Sequence, residues 1–360
     1  MQTMMETVRS VAPLAAEHAA RHDRDGTFVI EAYTALRDSG YLAAPVPVDL
    51  GGAGATVRQV AEAQAELARS CGSTALASAM HLHVVLASAY RHRRGDDAVA
   101  GMLKRVAAEQ LVVASTGVGD FTTPTADATP VEGGWRVSGR KRFVSGAPIA
   151  QVASTWAATP DGEAIGFGLP LSAEGVTIEE TWDAHGMRGT ASHDVVLDDV
   201  FVTEGQVNAR RRLGGYAPVH AVIAVNAFPV ITAVYVGVAR SLRDAAVAAA
   251  RRDRPLGLVE QHLLTAEALL ERMLVVADGD PDPAEAVVAE VMLLKRACNE
   301  QLLRLVDAAW DAVGGSAFSA GSVLDRATRD LRAASLHPLD PDATLELAAS
   351  QAKRVASAAA

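Results

Sequence analysis

The chain has 360 residues, of which 49% are hydrophobic, and a formal net charge of -10. A chain of this length can bury a substantial core, and two or three packed units are expected. Its arginines are scattered and form no basic stripe, so no nucleic-acid partner is expected. The two cysteines, Cys71 and Cys298, lie far apart without metal-ligand spacing, which predicts no metal site and a reducing, cytoplasmic location.

Helical periodicity dominates the first part of the chain, residues 1–110, where apolar positions recur every three or four residues. From 111 to 208 the pattern changes to short β-type runs separated by turns such as 132–134, which predicts a small antiparallel barrel or sandwich. Helical periodicity then returns over 209–360. The sequence therefore predicts a mainly α protein with an N-terminal helical domain, a middle β domain and a C-terminal helical bundle.

Residues 219–239 are almost continuously apolar. This length would permit a membrane span, since roughly 20 apolar residues cross a bilayer. However, His220, Asn226 and Pro229 interrupt the run and arginines follow it. We therefore predict a buried bundle helix and no membrane partner.

Four stretches, in chain order, carry a family resemblance: LRDSGYLAAPVPVDLGGAGATVRQVAEAQAELARSCGSTA, GGWRVSGRKRFVSGAP, WDAHGMRGTASHDVVLDDVFV and WDAVGGSAFSAGSVLDRATRDLRAA. Together they resemble the acyl-CoA dehydrogenase superfamily, and the third, with its GMRGTAS turn, is the most specific. The resemblance implies that the middle domain is a β-barrel, that the last domain is a four-helix bundle, and that the protein is a flavoprotein working as a homotetramer.

The resemblance places a flavin against Ser115, Thr116, Phe143 and Ser145. A flavin ring needs an apolar wall and hydrogen-bonding groups, which hydroxyl side chains and strand amides supply. It also places the backbone at residues 314–315 near the adenine half of FAD from a neighbouring subunit. Gly314 and Gly315 permit such an approach because they lack a side chain, and a helix C-cap is the competing explanation for the pair.

Two residues of the GMRGTAS region are candidates for the substrate pocket. His185 precedes the turn, and Arg188 could meet a flavin or substrate anion. For His185 the alternative is a surface position, and for Arg188 it is a structural ion pair.

The sequence departs from the dehydrogenases of the family where their catalytic base is expected. Removal of the α-proton of an acyl thioester requires a carboxylate, but Pro338 fills that position and His337 precedes it. Glu260 and Glu271 are the alternatives for a displaced base. Asp311 replaces the glutamine expected before the late glycine pair.

The altered segments resemble the two-component flavin-dependent monooxygenases, which take reduced flavin from a separate reductase. In those relatives a serine and a histidine flank the flavin, and Ser145 and His337 are the matching residues. Imidazole titrates near pH 6.5 and can act as acid or base. We therefore predict catalytic roles for both residues.

The favoured hypothesis is a flavin-dependent oxidoreductase that uses FAD, or reduced FMN or FAD from a flavin reductase, to hydroxylate a small substrate. Two alternatives remain open. One is an FAD-dependent acyl-CoA dehydrogenase, acting on an acyl thioester, with a displaced base. The other is a catalytically silent paralogue that serves as a structural subunit.

Overall fold

The structure, a computed structural model, describes residues 2–116 and 118–358. Five helices precede the sheet: α1 (Met4–Asp25), α2 (Ile30–Asp38), α3 (Val57–Ser70), α4 (Gly72–Arg93) and α5 (Ala100–Glu109). Hydroxyl side chains begin two of them, because Thr3 and Thr56 each form a capping box that satisfies free backbone N–H groups. Gly26 ends α1 in the left-handed conformation.

The middle of the chain forms one sheet. Its strands are β1 (Val113–Ser115), β2 (Ala126–Val131), β3 (Gly134–Val144), β4 (Val152–Ala158), β5 (Glu163–Pro170), β6 (Val176–Glu179), β7 (His193–Thr203) and β8 (Val207–Arg212). The strand order is β6-β7-β3-β2-β4-β5-β8, and β1 pairs in parallel with β4. Inward-facing residues of these strands form a separate apolar core around Val137, Ile165 and Val195.

The last part of the chain is helical: α6 (Pro218–Ala249), α7 (Asp253–Asp278), α8 (Glu285–Val313), α9 (Val323–Arg332) and α10 (Pro341–Ala358). Helices α6, α7 and α8 pack against one another, and α6 also packs on α3 and α4 of the N-terminal part. The apolar run predicted as a buried helix lies in α6, where 94% of its most apolar 18-residue window is buried. Its apolar character on all sides therefore reflects a core helix enclosed by other helices.

The predicted fold class, mainly α with a small β unit between helical parts, is confirmed. Two details differ from the sequence-based expectation. Strand β8 continues the sheet to Arg212, past the predicted boundary at 208, because Val207 and residues 209–212 pair with β5. Across the described strands the hydrogen-bonded path does not close, and it leaves β6 and β8 as edges.

The GMRGTAS turn is fastened to α9. The Asp330 carboxylate accepts a hydrogen bond from the Met187 amide at 2.5 Å, and the Arg329 guanidinium donates to the His185 carbonyl at 3.0 Å. A side chain at Gly186 would come within 2.3 Å of the Arg329 carbonyl oxygen, so this close approach needs glycine. The contact holds the sheet against the helices and so shapes the space between them.

Candidate functional site

A cavity of about 250 Å³ lies between the sheet and the helices. Helices α4 and α6 supply an apolar wall, and the segment after α9 closes one side. On α4 the lining residues recur at helical spacing: Leu76, Met80, His83, Val84 and Ala87. The opposite wall comes from the sheet and carries most of the hydroxyl groups.

Five of the residues singled out in the sequence line this cavity. Ser115 lies in β1 and Thr116 follows it. Phe143 lies near the end of β3 and Ser145 directly follows that strand. His337 lies in the segment after α9. These elements are distant in the chain, and the fold brings one side of each of them to the same cavity.

Phe143 reaches the cavity through an irregularity in β3. The pairing with β7 shifts between Lys141 and Val144, and Phe143 adopts a φ of 62°. A bulge of this kind turns a side chain away from the ordinary alternation of a strand. Phe143 is 54% exposed, and its ring meets Trp182 edge to face with centroids 5.9 Å apart, which gives the cavity an aromatic edge.

Ser145 belongs to a chain of hydroxyl groups. Its Oγ lies 2.8 Å from Ser192 Oγ, which lies 2.7 Å from Thr190 Oγ1. Thr190 in turn donates to the Met187 carbonyl at 2.8 Å. The second half of the GMRGTAS turn therefore holds the Ser145 side chain in place.

Thr116 is held by a buried ion pair that sequence reasoning missed. Its hydroxyl donates to the Asp120 carboxylate, and the Lys141 ammonium donates to the same group at 2.6 Å. Lys141 is fully buried, and burial lowers its pKa despite the attraction of Asp120. The lysine belongs to the GGWRVSGRKRFVSGAP stretch, but no spacing pattern connected it to an aspartate 21 residues earlier.

His337 is paired with a tyrosine. Its Nε2 lies 2.7 Å from the Tyr235 hydroxyl. Desolvation, with smaller contributions from Lys295 and His83, lowers the pKa of His337 to about 3, so the imidazole is neutral at physiological pH. Lys295 donates to the His337 and Pro338 carbonyls at 2.6 and 3.0 Å and so holds the segment that carries the histidine.

A second histidine, His83, also lines the cavity. Burial lowers its pKa to about 4, so it too is neutral. Its neighbour His81 faces the other way and bonds the Leu42 carbonyl and the Val113 amide. In the sequence, the spacing of His83 three residues after Met80 and four before Ala87 could have indicated that these residues share one helix face.

The other predicted site residues lie outside the cavity lining. Arg188 donates to the Asp23 and Ala184 carbonyls and pairs with Asp183 at 2.9 Å, and these are structural contacts. The His185 carbonyl oxygen accepts the hydrogen bond from Arg329 that was described above. Gly314 ends α8 with a φ of 75°, a conformation that favours glycine, and a Cβ added at Gly315 would meet no atom within 4 Å.

Neither candidate for a displaced base reaches the cavity. Glu260 pairs with Arg243 at 2.6 Å, and Glu271 pairs with Arg58 at 2.8 Å. Among the described residues that line the cavity, the one carboxylate is Asp120, and it is engaged by Lys141 and Thr116. The cavity thus offers hydroxyl groups and neutral imidazoles, with its acid already paired.

These groups fit a flavin. Hydroxyls at positions 115, 116 and 145 can meet the polar edge of an isoalloxazine ring, and the exposed ring of Phe143 can cover its apolar surface.

Family models match most of the chain. They are described as the acyl-CoA dehydrogenase N-terminal domain, over residues 1–108, the middle domain, over 113–200, and the C-terminal domain, over 255–339.

Known proteins resemble the chain over nearly its whole length. L-evernosamine nitrososynthase of Micromonospora is 31% identical over 92% of this chain and 85% of its own, and putative acyl-CoA dehydrogenase YdbM of Bacillus subtilis is 29% identical over 97% and 96%. The structure of KijD3 with FMN and dTDP-3-amino-2,3,6-trideoxy-4-keto-3-methyl-D-glucose has a TM-score of 0.86 and 30% identity, covering 98% of this chain and 93% of that one. The oxygenase component of an FADH2-dependent resorcinol hydroxylase of Rhizobium is 32% identical over 48% of this chain and 41% of its own.

Proposed function

Because the chain belongs to the acyl-CoA dehydrogenase family and is a flavin-dependent oxidoreductase, we propose that it is the oxygenase component of a two-component system that oxidises a small molecule with reduced flavin and oxygen. A separate reductase would supply the reduced FMN or FAD. The flavin, when bound, would supply the two electrons with which one oxygen atom is transferred to the substrate and the other is released as water.

The observation that carries this proposal is the chemistry of the cavity wall. An acyl-CoA dehydrogenase needs a free carboxylate to take the α-proton. In the described part of the chain the lining acid is Asp120, which is tied to Lys141, while Glu260 and Glu271 are tied to surface arginines. The dehydrogenase alternative therefore lacks its catalytic base. The silent-subunit alternative does not account for a cavity lined by hydroxyl groups.

We assign the flavin to the sheet side of the cavity. Ser115, Thr116 and Ser145 would bond its polar atoms, with Ser145 at the N5 edge, and Phe143 would cover the ring. Asp120 contributes indirectly, because its contact orients the Thr116 hydroxyl.

His337 would handle the substrate's proton. A neutral imidazole has one lone pair and one N–H; in the tautomer whose Nε2–H donates to the Tyr235 hydroxyl, the Nδ1 lone pair can accept a proton from the reacting group of the substrate. The Tyr235 hydroxyl fixes its ring orientation at 2.7 Å. His83, also neutral, lies on the facing helix α4 and would help to hold the substrate's polar group.

A primary amine on a sugar is the substrate class that the relatives favour, since one is named a nitrososynthase and another is seen with an amino sugar. The cavity supports this choice in one respect. Its acid is already paired and its imidazoles are neutral, so an amine would be bound as the free base. The free base is also the form whose lone pair can receive an oxygen atom.

The test uses the purified protein loaded anaerobically with reduced FMN or FAD. It is mixed with ¹⁸O₂ and panels of nucleotide-linked amino sugars, other primary amines and phenols, and the products are analysed by mass spectrometry. One ¹⁸O atom incorporated per transfer, with the activity reduced at least tenfold in His337→Asn, is the expected result. Bleaching of bound FAD by an acyl-CoA panel without oxygen, and no ¹⁸O in any product, would establish the dehydrogenase instead.

A further inference from the structure

The hydroxyl chain beside the cavity has a direction. Ser145, Ser192 and Thr190 make three O···O contacts of 2.7–2.8 Å, and the last of them ends on the Met187 carbonyl oxygen. All three residues contribute to the cavity lining; Ser192 and Thr190 are buried, and Ser145 is the most exposed of the three. The chain therefore connects a carbonyl inside the protein to the flavin side of the site.

The number of hydroxyl protons determines the direction of each of these three hydrogen bonds. Each hydroxyl has one proton and a carbonyl oxygen has none. Oxygen atoms this close need a hydrogen between them, so three contacts require all three protons. Thr190 therefore donates to Met187, Ser192 donates to Thr190 and Ser145 donates to Ser192. Ser145 is left with lone pairs alone toward the cavity.

We propose that Thr190 and Ser192 are positioning residues that hold Ser145 as a hydrogen-bond acceptor and thereby make the site prefer reduced flavin over oxidised flavin. This inference rests on the proposed function, which puts Ser145 at the N5 edge of the ring. Oxidised flavin has only acceptors at that edge and meets an acceptor unfavourably. Reduction adds a hydrogen to N5, which then donates to Ser145. The preference would let the protein bind reduced flavin in the presence of the oxidised form.

Thr190→Val tests the proposal, with Thr190→Ser as its matched control. Valine keeps the shape of threonine but removes the hydroxyl, so Ser192 turns its proton to Ser145 and Ser145 can donate into the cavity. Serine keeps the hydroxyl. Binding of oxidised FMN and of photoreduced FMN is measured without oxygen, and the midpoint potential of bound FMN is measured as a second readout.

We expect wild type and Thr190→Ser to prefer reduced FMN. In Thr190→Val the preference should fall roughly threefold to tenfold, which is the usual effect of one neutral hydrogen bond. For a two-electron couple this equals a drop in midpoint potential of about 15 to 30 mV. In a Ser145→Ala background, Thr190→Val should leave the preference unchanged. The Ser145 hydroxyl, through which Thr190 acts on the flavin, is absent there.

Two outcomes would overturn the proposal while leaving the proposed function in place. One is that Thr190→Val weakens the binding of oxidised and of reduced FMN by the same factor, as a loss of packing would. The other is that Ser145→Ala does not alter the preference. Ser192→Ala, which removes the acceptor of the Ser145 proton directly, replaces Thr190→Val if that variant does not fold. Absence of FMN and FAD binding by wild type in either redox state would instead contradict the proposed function itself.

Discussion

His337 shows how burial changes the chemistry of one residue. Sequence reasoning proposed it as an acid or base because imidazole ordinarily titrates near pH 6.5. In the structure its pKa is lowered to about 3, mainly by desolvation. It therefore carries no proton in the resting protein at neutral pH, and its lone pair is kept available.

This shift makes stability depend on pH. Between about pH 6.5 and 3 the unfolded chain protonates His337 while the folded chain does not, so its contribution is complete above pH 6.5 and is lost as the pH falls. We expect the free energy of unfolding of wild type to fall more steeply from pH 7 to pH 5 than that of His337→Asn. Urea unfolding at each pH measures this, and parallel curves for the two proteins would contradict it.

Lys141 and its neighbour Arg140 offer a matched comparison of a buried and an exposed ion pair. Lys141→Met leaves the buried Asp120 carboxylate without its partner, and we expect a loss of about 3–5 kcal/mol in the free energy of unfolding. Arg140→Gln removes the exposed guanidinium that pairs with Glu179 and Asp194, and it should cost much less stability because solvent screens this pair. Urea unfolding of both variants checks this. Equal losses in the free energy of unfolding would show that the unpaired Asp120 carboxylate is not the cause of the destabilisation.

At the scale of elements, the contact between the GMRGTAS turn and α9 joins the sheet to the helical part. Resemblance identified both segments, but their direct contact is visible only in the structure. The arginine–aspartate pair of α9 thus has a structural role, with Asp330 holding Met187. Its burial raises the pKa of Asp330 to about 6.

Gly186 tests how close this contact must be. An added Cβ would lie 2.3 Å from the Arg329 carbonyl oxygen, so Gly186→Ala must push the turn and α9 apart. We expect a loss of about 1–3 kcal/mol, typical of overpacking, together with weaker flavin binding. Gly205→Ala is the control, because nothing lies within 4 Å of its added Cβ. Thermal unfolding and FMN titration compare the two variants. Unchanged stability and FMN affinity in Gly186→Ala would mean that the GMRGTAS turn can shift away from α9 at no cost.

At the scale of the whole molecule, the helical part leaves large apolar side chains exposed. Phe318 is 84% exposed, and Leu264 and Val355 are 69% and 70% exposed. Phe318 follows the Gly314–Gly315 pair that the family resemblance places at a subunit boundary. These exposures support the prediction of a homo-oligomer. The tetramer itself stays a prediction, as does the cytoplasmic location.

Phe318→Glu is expected to shift the protein toward smaller species, because a charge cannot be buried in an apolar contact without a partner. Light scattering after size-exclusion chromatography measures the mass of wild type and variant. Val48→Glu is the control, at an exposed residue (73%) of the N-terminal part. A monomeric wild type would contradict the oligomer, and an unchanged mass in Phe318→Glu would place the interface elsewhere.

The sequence by itself determined the fold class, the order of the three parts, the family resemblance and the change at the catalytic-base position. These properties depend on periodicity and on short motifs, which are local in the chain. They also brought Ser115, Thr116, Phe143, Ser145 and His337 forward as candidates, and the structure places these five around one cavity.

Only the tertiary structure decided which groups pair and in what state they are. The Asp120–Lys141 pair, the Tyr235–His337 contact and the Ser145–Ser192 contact connect residues that are distant in the sequence. No local pattern reports such contacts. The neutral state of His83 and His337 likewise depends on how much water the surrounding helices exclude. Burial and pairing are properties of the packed chain, and for that reason the chemistry of the site had to be read from the structure.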